Sequence, residues 1–234
     1  MCGRFTLELP AGLLAELFGL PEPPFFPPRY NIAPTQQVAA VRRRDEGGNR
    51  LDFLKWGLIP SWAKDPSIGS KMINARSETI SEKPAFRAAF KQRRCLVPSS
   101  GFYEWEAVCG KKIPQYLRLR NGSPMVFAGL WESWSGPDGA SVESCTILTT
   151  AANALIEPLH IRMPVILQPG DFATWLEPNP GDPEKLKQLC RPYPAGGMER
   201  WTVSTRANSP KYDAPDLIEP VLPVSAILPG LRGE

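Results

Sequence analysis

Histidine is almost absent from the sequence: His160 is the only one in 234 residues. Zinc sites built from several histidines, including the H-E-x-x-H motif, are therefore excluded. The sequence also lacks the G-x-S-x-G elbow, the P-loop and the G-x-G-x-x-G fingerprint, so the enzyme classes that depend on those motifs have no support. We expect neither a metal nor an organic cofactor.

Cysteine is sparse, and no C-x-x-C spacing joins its five positions, which are Cys2, Cys95, Cys109, Cys145 and Cys190. An odd number without that spacing fits neither a disulfide framework nor a zinc ribbon. The N-terminal segment contains Arg4 and Glu8 and has no apolar core of a signal peptide, and no hydrophobic run approaches a membrane span. We therefore expect a soluble cytoplasmic protein, nucleoid-associated if bacterial, with no membrane partner.

The net charge is only +3, which excludes a strongly basic tail but permits a local basic groove. Proline is abundant, at 27 residues, and this favours strands and turns over long helices. Predicted strands outnumber helices, and hairpin turns outnumber crossover helices. The expected fold class is therefore α+β. We expect a monomer with a single domain over residues 1–234, with mostly antiparallel strands around a β-barrel-like core, short flanking helices and a poorly defined tail from about residue 210.

The pattern of apolar and turn residues predicts the individual elements. Helices are predicted within Leu9–Leu20, closed by Gly19, and at Ser81–Phe90, Gly170–Leu176 and Pro183–Cys190. A hairpin of Gln37–Arg42 and Arg50–Trp56 is predicted, with further strands at Cys95–Pro98, Tyr116–Leu119, Met125–Leu130, Glu143–Thr150, Val165–Leu167 and Glu199–Ser204. Turns are predicted at Asn121-Gly122 and at residues 137–139.

The beginning of the chain, Met1-Cys2-Gly3-Arg4-Phe5, carries the most distinctive chemistry. If Met1 is removed, as is usual before a small residue, Cys2 holds a free α-amine beside its thiol. An α-amine titrates at about 7.7–8, against about 10.4 for lysine, so its nucleophilic fraction at neutral pH is far larger. Such an amine attacks aldehydes, and the neighbouring thiol can close the imine into a thiazolidine. The alternative is an incidental cysteine at a frayed terminus.

Three further residues are candidates for acid–base chemistry or positioning. Glu104 lies among Phe102, Tyr103 and Trp105, an apolar setting that would raise the pKa of its carboxyl group. Strand alternation could instead point Glu104 to solvent. His160 could pair with Cys2, although a sole histidine is often structural, and Asn74 could hold a substrate hydroxyl or the amine, although lone asparagines are often turn residues.

A set of arginines accompanies these candidates. Arg4, Arg76 and Arg162 each lie within two residues of Cys2, Asn74 or His160. This recurrence indicates an anionic partner, for which phosphate is the obvious choice. The segment Trp56–Pro66 combines two tryptophans, one of them Trp62, with a lysine. Such a segment is either a loop that caps the core or a platform on which unpaired bases stack.

These segments together resemble the SRAP (SOS-response-associated peptidase) family of abasic-site processing proteins. The matching stretches are MCGRF at 1–5, YNIAPTQ at 30–36, WGLIPSWAKD at 56–65, INARSET at 73–79, RCLVPSSGFYEW at 94–105, AGLWE at 128–132, TILTTAAN at 146–153 and HIRMPVIL at 160–167. Several ordered motifs of this length are highly specific, and they extend over the chain from its first residue to about Ser209.

The resemblance implies that Cys2 forms a thiazolidine crosslink with the ring-opened aldehyde of an abasic site in single-stranded DNA, as part of a DNA-damage response. It further implies that Asn74, Glu104 and His160 assist catalysis. The resemblance also implies DNA contacts by Arg4, Arg76, Arg162 and Trp62.

Three other functions stay open at this point. A cysteine peptidase would use Cys2 as nucleophile and His160 as base, and autocatalytic removal of Met1 would be its mildest form. A plain single-strand binder would leave Cys2 incidental. An AP lyase would cleave the strand through the same Schiff base and needs no additional residue.

Overall fold

The structure, a computed structural model, describes residues 2–137, 139–178 and 183–221. Its strands are β1 (Phe5–Leu7), β2 (Arg29–Ile32), β3 (Gln37–Arg43), β4 (Asn49–Trp56), β5 (Asn74–Arg76), β6 (Arg94–Ser99), β7 (Gly101–Val108), β8 (Lys111–Leu119), β9 (Met125–Ser135), β10 (Ser141–Ala151), β11 (Arg162–Pro164) and β12 (Met198–Thr202). The α-helices are α1 (Ala11–Phe18), α2 (Arg87–Gln92), α3 (Phe172–Leu176) and α4 (Pro183–Leu189). Short 3₁₀ turns occupy Pro66–Lys71, Ser77–Thr79, Pro169–Asp171, Ala195–Gly197, Thr205–Asn208 and Pro215–Ile218.

Five strands form a closed barrel at the centre of the molecule. Strand β3 pairs with β4 and β6, β6 pairs with β9, and β9 pairs with β10. The ring closes where β10 runs parallel to β4, while the other four pairings are antiparallel. Closure leaves no unpaired edge in the ring. The predicted α+β class, with a barrel-like core of mostly antiparallel strands, is confirmed.

A second sheet, in the order β12-β8-β7-β1-β2, packs against this barrel. Strand β1 lies inside that sheet, with Phe5 opposite Phe102 of β7 and opposite Ile32 of β2. The Phe5 ring reaches the barrel, where it contacts Trp56 at a centroid distance of 5.1 Å. Because β1 is paired on both sides and packed underneath, the residues just before it are held in place.

Helix α1 begins and ends close to the predicted positions. Leu14 and Phe18 are buried, four residues apart on one face. Gly19 ends the helix in the left-handed region, at φ 59° and ψ 42°, a conformation that costs glycine little. In the described part of the chain, no helix is long and apolar enough to cross a membrane.

Two predicted elements differ from the structure. The helix at Ser81–Phe90 is wrong in its first half: turns occupy that part and α2 begins only at Arg87. Pro84 has no N–H to donate and restricts the residue before it, so a continuous helix is disfavoured there. The predicted strand at Val165–Leu167 is reduced to a single bridge between Ile166 and Phe127, and the regular strand β11 precedes it.

The other elements follow the prediction within a few residues. The hairpin of β3 and β4 pairs Gln37 with Lys55 and Arg43 with Asn49. The turn at residues 137–139 includes Asp138, which lies outside the described residues. Beyond residue 210 the chain continues against the second sheet, where the buried side chain of Leu217 packs with the small cluster around Tyr103.

Candidate active site

Cys2 is fully buried three residues before β1, where it packs into the main hydrophobic core. Asn74, the first residue of β5, donates a hydrogen bond from Nδ2 to the carbonyl oxygen of Cys2 at 2.8 Å. Asn74 is itself held because β5 runs parallel to β10, opposite Ile147. Strand β5, itself paired with β10, therefore fixes the backbone of Cys2 through Asn74.

The environment of the Cys2 thiol favours its neutral form. Burial raises the pKa of the Cys2 thiol well above its usual range, and the negative charge of Glu104 raises it further. At neutral pH the thiol is therefore protonated in the chain that still carries Met1. A resting thiolate, the form that a cysteine peptidase needs, is disfavoured.

Glu104 lies in the middle of β7 and points into the protein. Its side chain is 5% exposed, so the expectation that strand alternation could turn it to solvent is wrong. Burial raises the pKa of the Glu104 carboxyl, and the charge of nearby His160 opposes this shift. A carboxyl group with a raised pKa can both donate and accept protons near neutral pH.

His160 follows a turn in which its N–H donates to the carbonyl of Ile156 at 3.0 Å. The backbone N–H of Arg162 donates to His160 Nδ1 at 2.9 Å. Nδ1 also lies 3.3 Å from the carbonyl oxygen of Arg162, but the shorter contact is with the backbone N–H, which can only donate. We therefore assign Nδ1 as the acceptor and place the proton of the neutral imidazole on Nε2. His160 can therefore exchange protons with a ligand only through Nε2.

The three candidate arginines differ in how much of their charge is available. Arg4 donates to Asn31 Oδ1 at 2.6 Å and to the carbonyl of Ala207 at 3.0 Å, and its guanidinium lies 5.7 Å from the ring centroid of Trp105. Arg162 is paired with the carboxylate of Glu78 through two hydrogen bonds. The side chain of Arg76 is exposed and makes no hydrogen bond or ion pair within the described residues, although its backbone pairs with Thr149 of β10.

Three polar atoms of these candidate residues are buried without a hydrogen-bond partner in the described part of the chain. They are Arg4 Nε, Asn74 Oδ1 and Arg162 Nε. An unsatisfied buried polar atom costs about 1–3 kcal/mol and is uncommon in folded proteins. Each of these three atoms can still form a hydrogen bond with a ligand.

Trp62 lies in a separate loop. Its side chain is 59% exposed, and it lines a cavity of about 390 Å³ together with Lys64 and Lys71. The loop is fixed from beneath by Trp134, whose Nε1 donates to the carbonyl of Ala63 at 2.7 Å. Over residues 2–137, 139–178 and 183–221, no hydrogen bond or ring contact joins Trp62 to the residues around Cys2.

Sequence reasoning missed two residues of this site. Asn31 is fully buried and orients Arg4, and it donates to the carbonyl of Tyr212 at 2.7 Å. Glu78 holds Arg162. Both lie in stretches that resemble the family, YNIAPTQ and INARSET, but nothing in those stretches indicated which arginine each would contact, because the partners are far away along the chain. Among the described residues, no group of three or more His, Cys, Asp or Glu side chains is placed to hold a metal ion.

Comparisons with known proteins identify the family of this chain. A profile described as "SOS response associated peptidase (SRAP)" matches residues 1–210. The chain is 47% identical over 224 residues to "Abasic site processing protein YoqW" of Bacillus subtilis, which covers 94% of this chain and 99% of the relative. It is 28% identical to "Abasic site processing protein HMCES" of Xenopus tropicalis, over 84% of this chain and 67% of that protein. A crystal structure of a Bacteroides thetaiotaomicron protein superposes with a TM-score of 0.84 at 25% identity, over 94% of this chain and 100% of that chain.

Proposed function

The chain belongs to the SOS response associated peptidase (SRAP) family, and on that premise we propose that it captures abasic sites in single-stranded DNA covalently, through Cys2. The abasic site is the target named for the relatives from Bacillus subtilis and Xenopus tropicalis. The observation that carries the proposal is the hydrogen bond from Asn74 to Cys2, beside a buried Glu104 whose pKa is raised.

The first step is the removal of Met1, because a peptide-bonded nitrogen cannot act as an amine. The freed α-amine of Cys2 then attacks the aldehyde carbon of the ring-opened sugar, and a C–N bond forms. Loss of one water gives the imine. Protonated Glu104 can donate to the departing oxygen, and the raised pKa of its carboxyl favours that protonated form.

The second step closes the ring. The thiol of Cys2 adds to the imine carbon, so that a C–S bond forms and the thiol proton passes, by way of the Glu104 carboxylate, to the nitrogen. The thiol need not be ionised beforehand, because the carboxylate left on Glu104 can accept its proton as the bond forms. His160 can serve as the second proton carrier through Nε2, and Asn74 holds the Cys2 carbonyl so that amine and thiol stay oriented.

The partner is a single strand of DNA. The exposed, unpaired guanidinium of Arg76 is suited to a phosphate, and the 59% exposed indole of Trp62 is suited to base stacking. Arg4 and Arg162 lie deeper, and each has one buried N–H without a protein partner in the described residues. Those two donors can reach a sugar or phosphate oxygen once the site opens.

The test is intact mass spectrometry of the protein after incubation with an abasic oligonucleotide made by uracil excision, beside an undamaged strand. The expected adduct has the mass of the protein without Met1 plus the oligonucleotide minus one water, and it appears only with the abasic strand. Cys2→Ser should still bind the strand but form no stable adduct, whereas Cys109→Ser, at an exposed turn, should behave like the parent. An equally stable adduct with Cys2→Ser would overturn the thiazolidine scheme.

The peptidase and lyase alternatives give different outcomes in the same experiment. A peptidase would turn over peptide substrates repeatedly, and the raised pKa of the Cys2 thiol counts against that reading. A lyase would leave shortened strands rather than a lasting adduct. Repeated strand cleavage with no retained adduct would favour the lyase function.

A further inference from the structure

Glu78 occupies the centre of a polar network that spans three adjacent strands. It lies in the 3₁₀ turn that follows β5, while Arg162 begins β11, and β10 runs between these two strands. Glu78 Oε1 and Oε2 accept hydrogen bonds from Arg162 Nη1 and Nη2 at 2.7 Å and 2.8 Å. Arg162 Nη2 also donates to the carbonyl of Thr149 at 2.6 Å. Such a two-point pair fixes the plane of the guanidinium as well as its position.

The ion pair also controls the charge that the site offers to a strand. Hydrogen bonds from Arg162 hold the pKa of the Glu78 carboxyl below its usual range, so the carboxylate is charged at neutral pH. Its negative charge offsets the positive charge of Arg162. Arg76, by contrast, is exposed and forms no salt bridge in the described part of the chain, although its charge also lowers the pKa of the Glu78 carboxyl.

The same network reaches His160. The backbone N–H of Arg162 is the donor that occupies His160 Nδ1. The Arg162 side chain is only 13% exposed, while that of Glu78 is 51% exposed. The ion pair between Arg162 and Glu78 therefore fixes the half-buried segment that carries the imidazole. The Glu78 end of this pair faces solvent.

We propose that Glu78 is a positioning residue that lowers the affinity for DNA and speeds the covalent step. This inference rests on the proposed function. The carboxylate neutralises Arg162, which weakens the hold on phosphate, and it keeps the Arg162 guanidinium and the His160 ring in the arrangement that the reaction uses. The Glu78 side chain therefore has opposite effects on the two steps: it weakens DNA binding and speeds the covalent reaction.

Glu78→Gln tests both effects, because it removes the charge but keeps the shape. The Kd for an undamaged single strand should fall about three- to tenfold, and the salt dependence should steepen by about 0.7 in log Kd per log salt, as for one added phosphate contact. The adduct formation rate at saturating abasic DNA should fall about tenfold or more, since a small displacement of reacting groups is costly. Glu78→Asp, which restores the charge, should recover the parental salt slope.

Glu82→Gln is the matched control. It changes the net charge by the same amount at an exposed position four residues away and should leave the adduct formation rate unchanged. A Glu78→Gln protein that binds more weakly and reacts more slowly would indicate a merely structural role, and one that matches Glu82→Gln in both measurements would also overturn the proposal. If the parent forms no adduct, the proposed function itself has failed, which is a separate outcome.

Discussion

Burial of the Glu104 carboxyl group affects both proton transfer and folding stability, in opposite directions. Burial raises the pKa of its carboxyl group, which means that the folded state binds a proton more tightly than the unfolded chain does. A group with a raised carboxyl pKa favours folding below its unfolded pKa, and this contribution is lost as the pH rises through the folded pKa. The residue suited to proton transfer near neutral pH is therefore one that lowers stability there.

Replacement of Glu104 by Gln should raise stability and lower the rate of adduct formation. The variant should be more stable than the parent at pH 8 and closer to it at pH 4, because only the parent must hold a buried carboxylate at the higher pH. Adduct formation at pH 7 should slow about 100-fold or more, the usual contribution of a general acid–base group. Urea unfolding at both pH values and single-turnover adduct kinetics measure the two effects.

Glu106→Gln provides the comparison for Glu104. It lies two residues further along β7, is half-buried, and accepts a hydrogen bond from Gln115 Nε2 at 3.2 Å. This variant should show neither the pH-dependent gain in stability nor the loss of rate. If Glu104→Gln unfolds at lower urea than the parent at pH 8, burial does not strain that carboxylate, and the argument is refuted.

At the scale of elements, the loop that carries Trp62 depends on a close approach between two glycines. A Cβ atom on Gly69 would lie 2.6 Å from the carbonyl oxygen of Gly57, and one on Gly57 would lie 2.5 Å from that of Gly69. Gly57 also has a φ of 132°, a conformation that other residues rarely adopt. The two backbones therefore pack directly at the base of the loop.

Gly69→Ala should separate these backbones and displace the loop. We expect a loss of about 1–3 kcal/mol in the free energy of unfolding, because the clash is with backbone rather than with a flexible side chain. Affinity for single-stranded DNA should fall as Trp62 moves. Gly12→Ala in α1, where nothing lies within 4 Å of the added Cβ, should be neutral or stabilising by up to about 1 kcal/mol. Equal stability of both variants would contradict this account.

The elements that sequence reasoning predicted well are those set by local patterns. Strands β3 and β4 flank a glycine-containing turn, and Gly19 marks the end of α1, so both were predicted closely. Helix α2 is shorter than predicted, because Pro84 disfavours a continuous helix through the first half of the predicted segment. Closure of the barrel needs the parallel pairing of β10 with β4, and no local pattern encodes a pairing between residues so far apart.

The same limit applies to the site. Chemistry alone drew attention to Cys2 and Glu104, because an aminothiol and a carboxyl among aromatics are unusual. Neighbours in sequence then suggested Arg4 and Arg162. The partners of these two arginines, Asn31 and Glu78, lie 27 and 84 residues away in the chain, so the available charge of each arginine could be judged only from the fold.

The barrel is the centre of the whole molecule, and one buried arginine links several of its strands. Arg42 of β3 is 2% exposed and donates to Asp52 of β4 at 2.8 Å and to both carboxylate oxygens of Glu143 of β10, at 2.7 Å and 2.9 Å. Its guanidinium stacks 4.3 Å from the ring centroid of Trp131 on β9. One side chain therefore joins four of the five barrel strands.

Loss of the Arg42 side chain should destabilise the entire fold. Arg42→Ala leaves Glu143 without its cation and Asp52 with Arg50 alone, and it removes the stacking partner of Trp131. Removing one member of a buried ion pair costs about 3–5 kcal/mol, and since Asp52 and Glu143 are partly exposed we expect about 2–3 kcal/mol. Arg50→Ala removes a second cation from Asp52, but its side chain is 46% exposed, so that loss should stay within about 1 kcal/mol.

Arg42 links several strands of the barrel, so its effect should extend beyond its own strand. Arg42→Ala should therefore lower the unfolding midpoint measured by far-ultraviolet circular dichroism and the midpoint measured by tryptophan fluorescence together. A local fluorescence change without a shift in the global midpoint would show that Arg42 stabilises only its own strand.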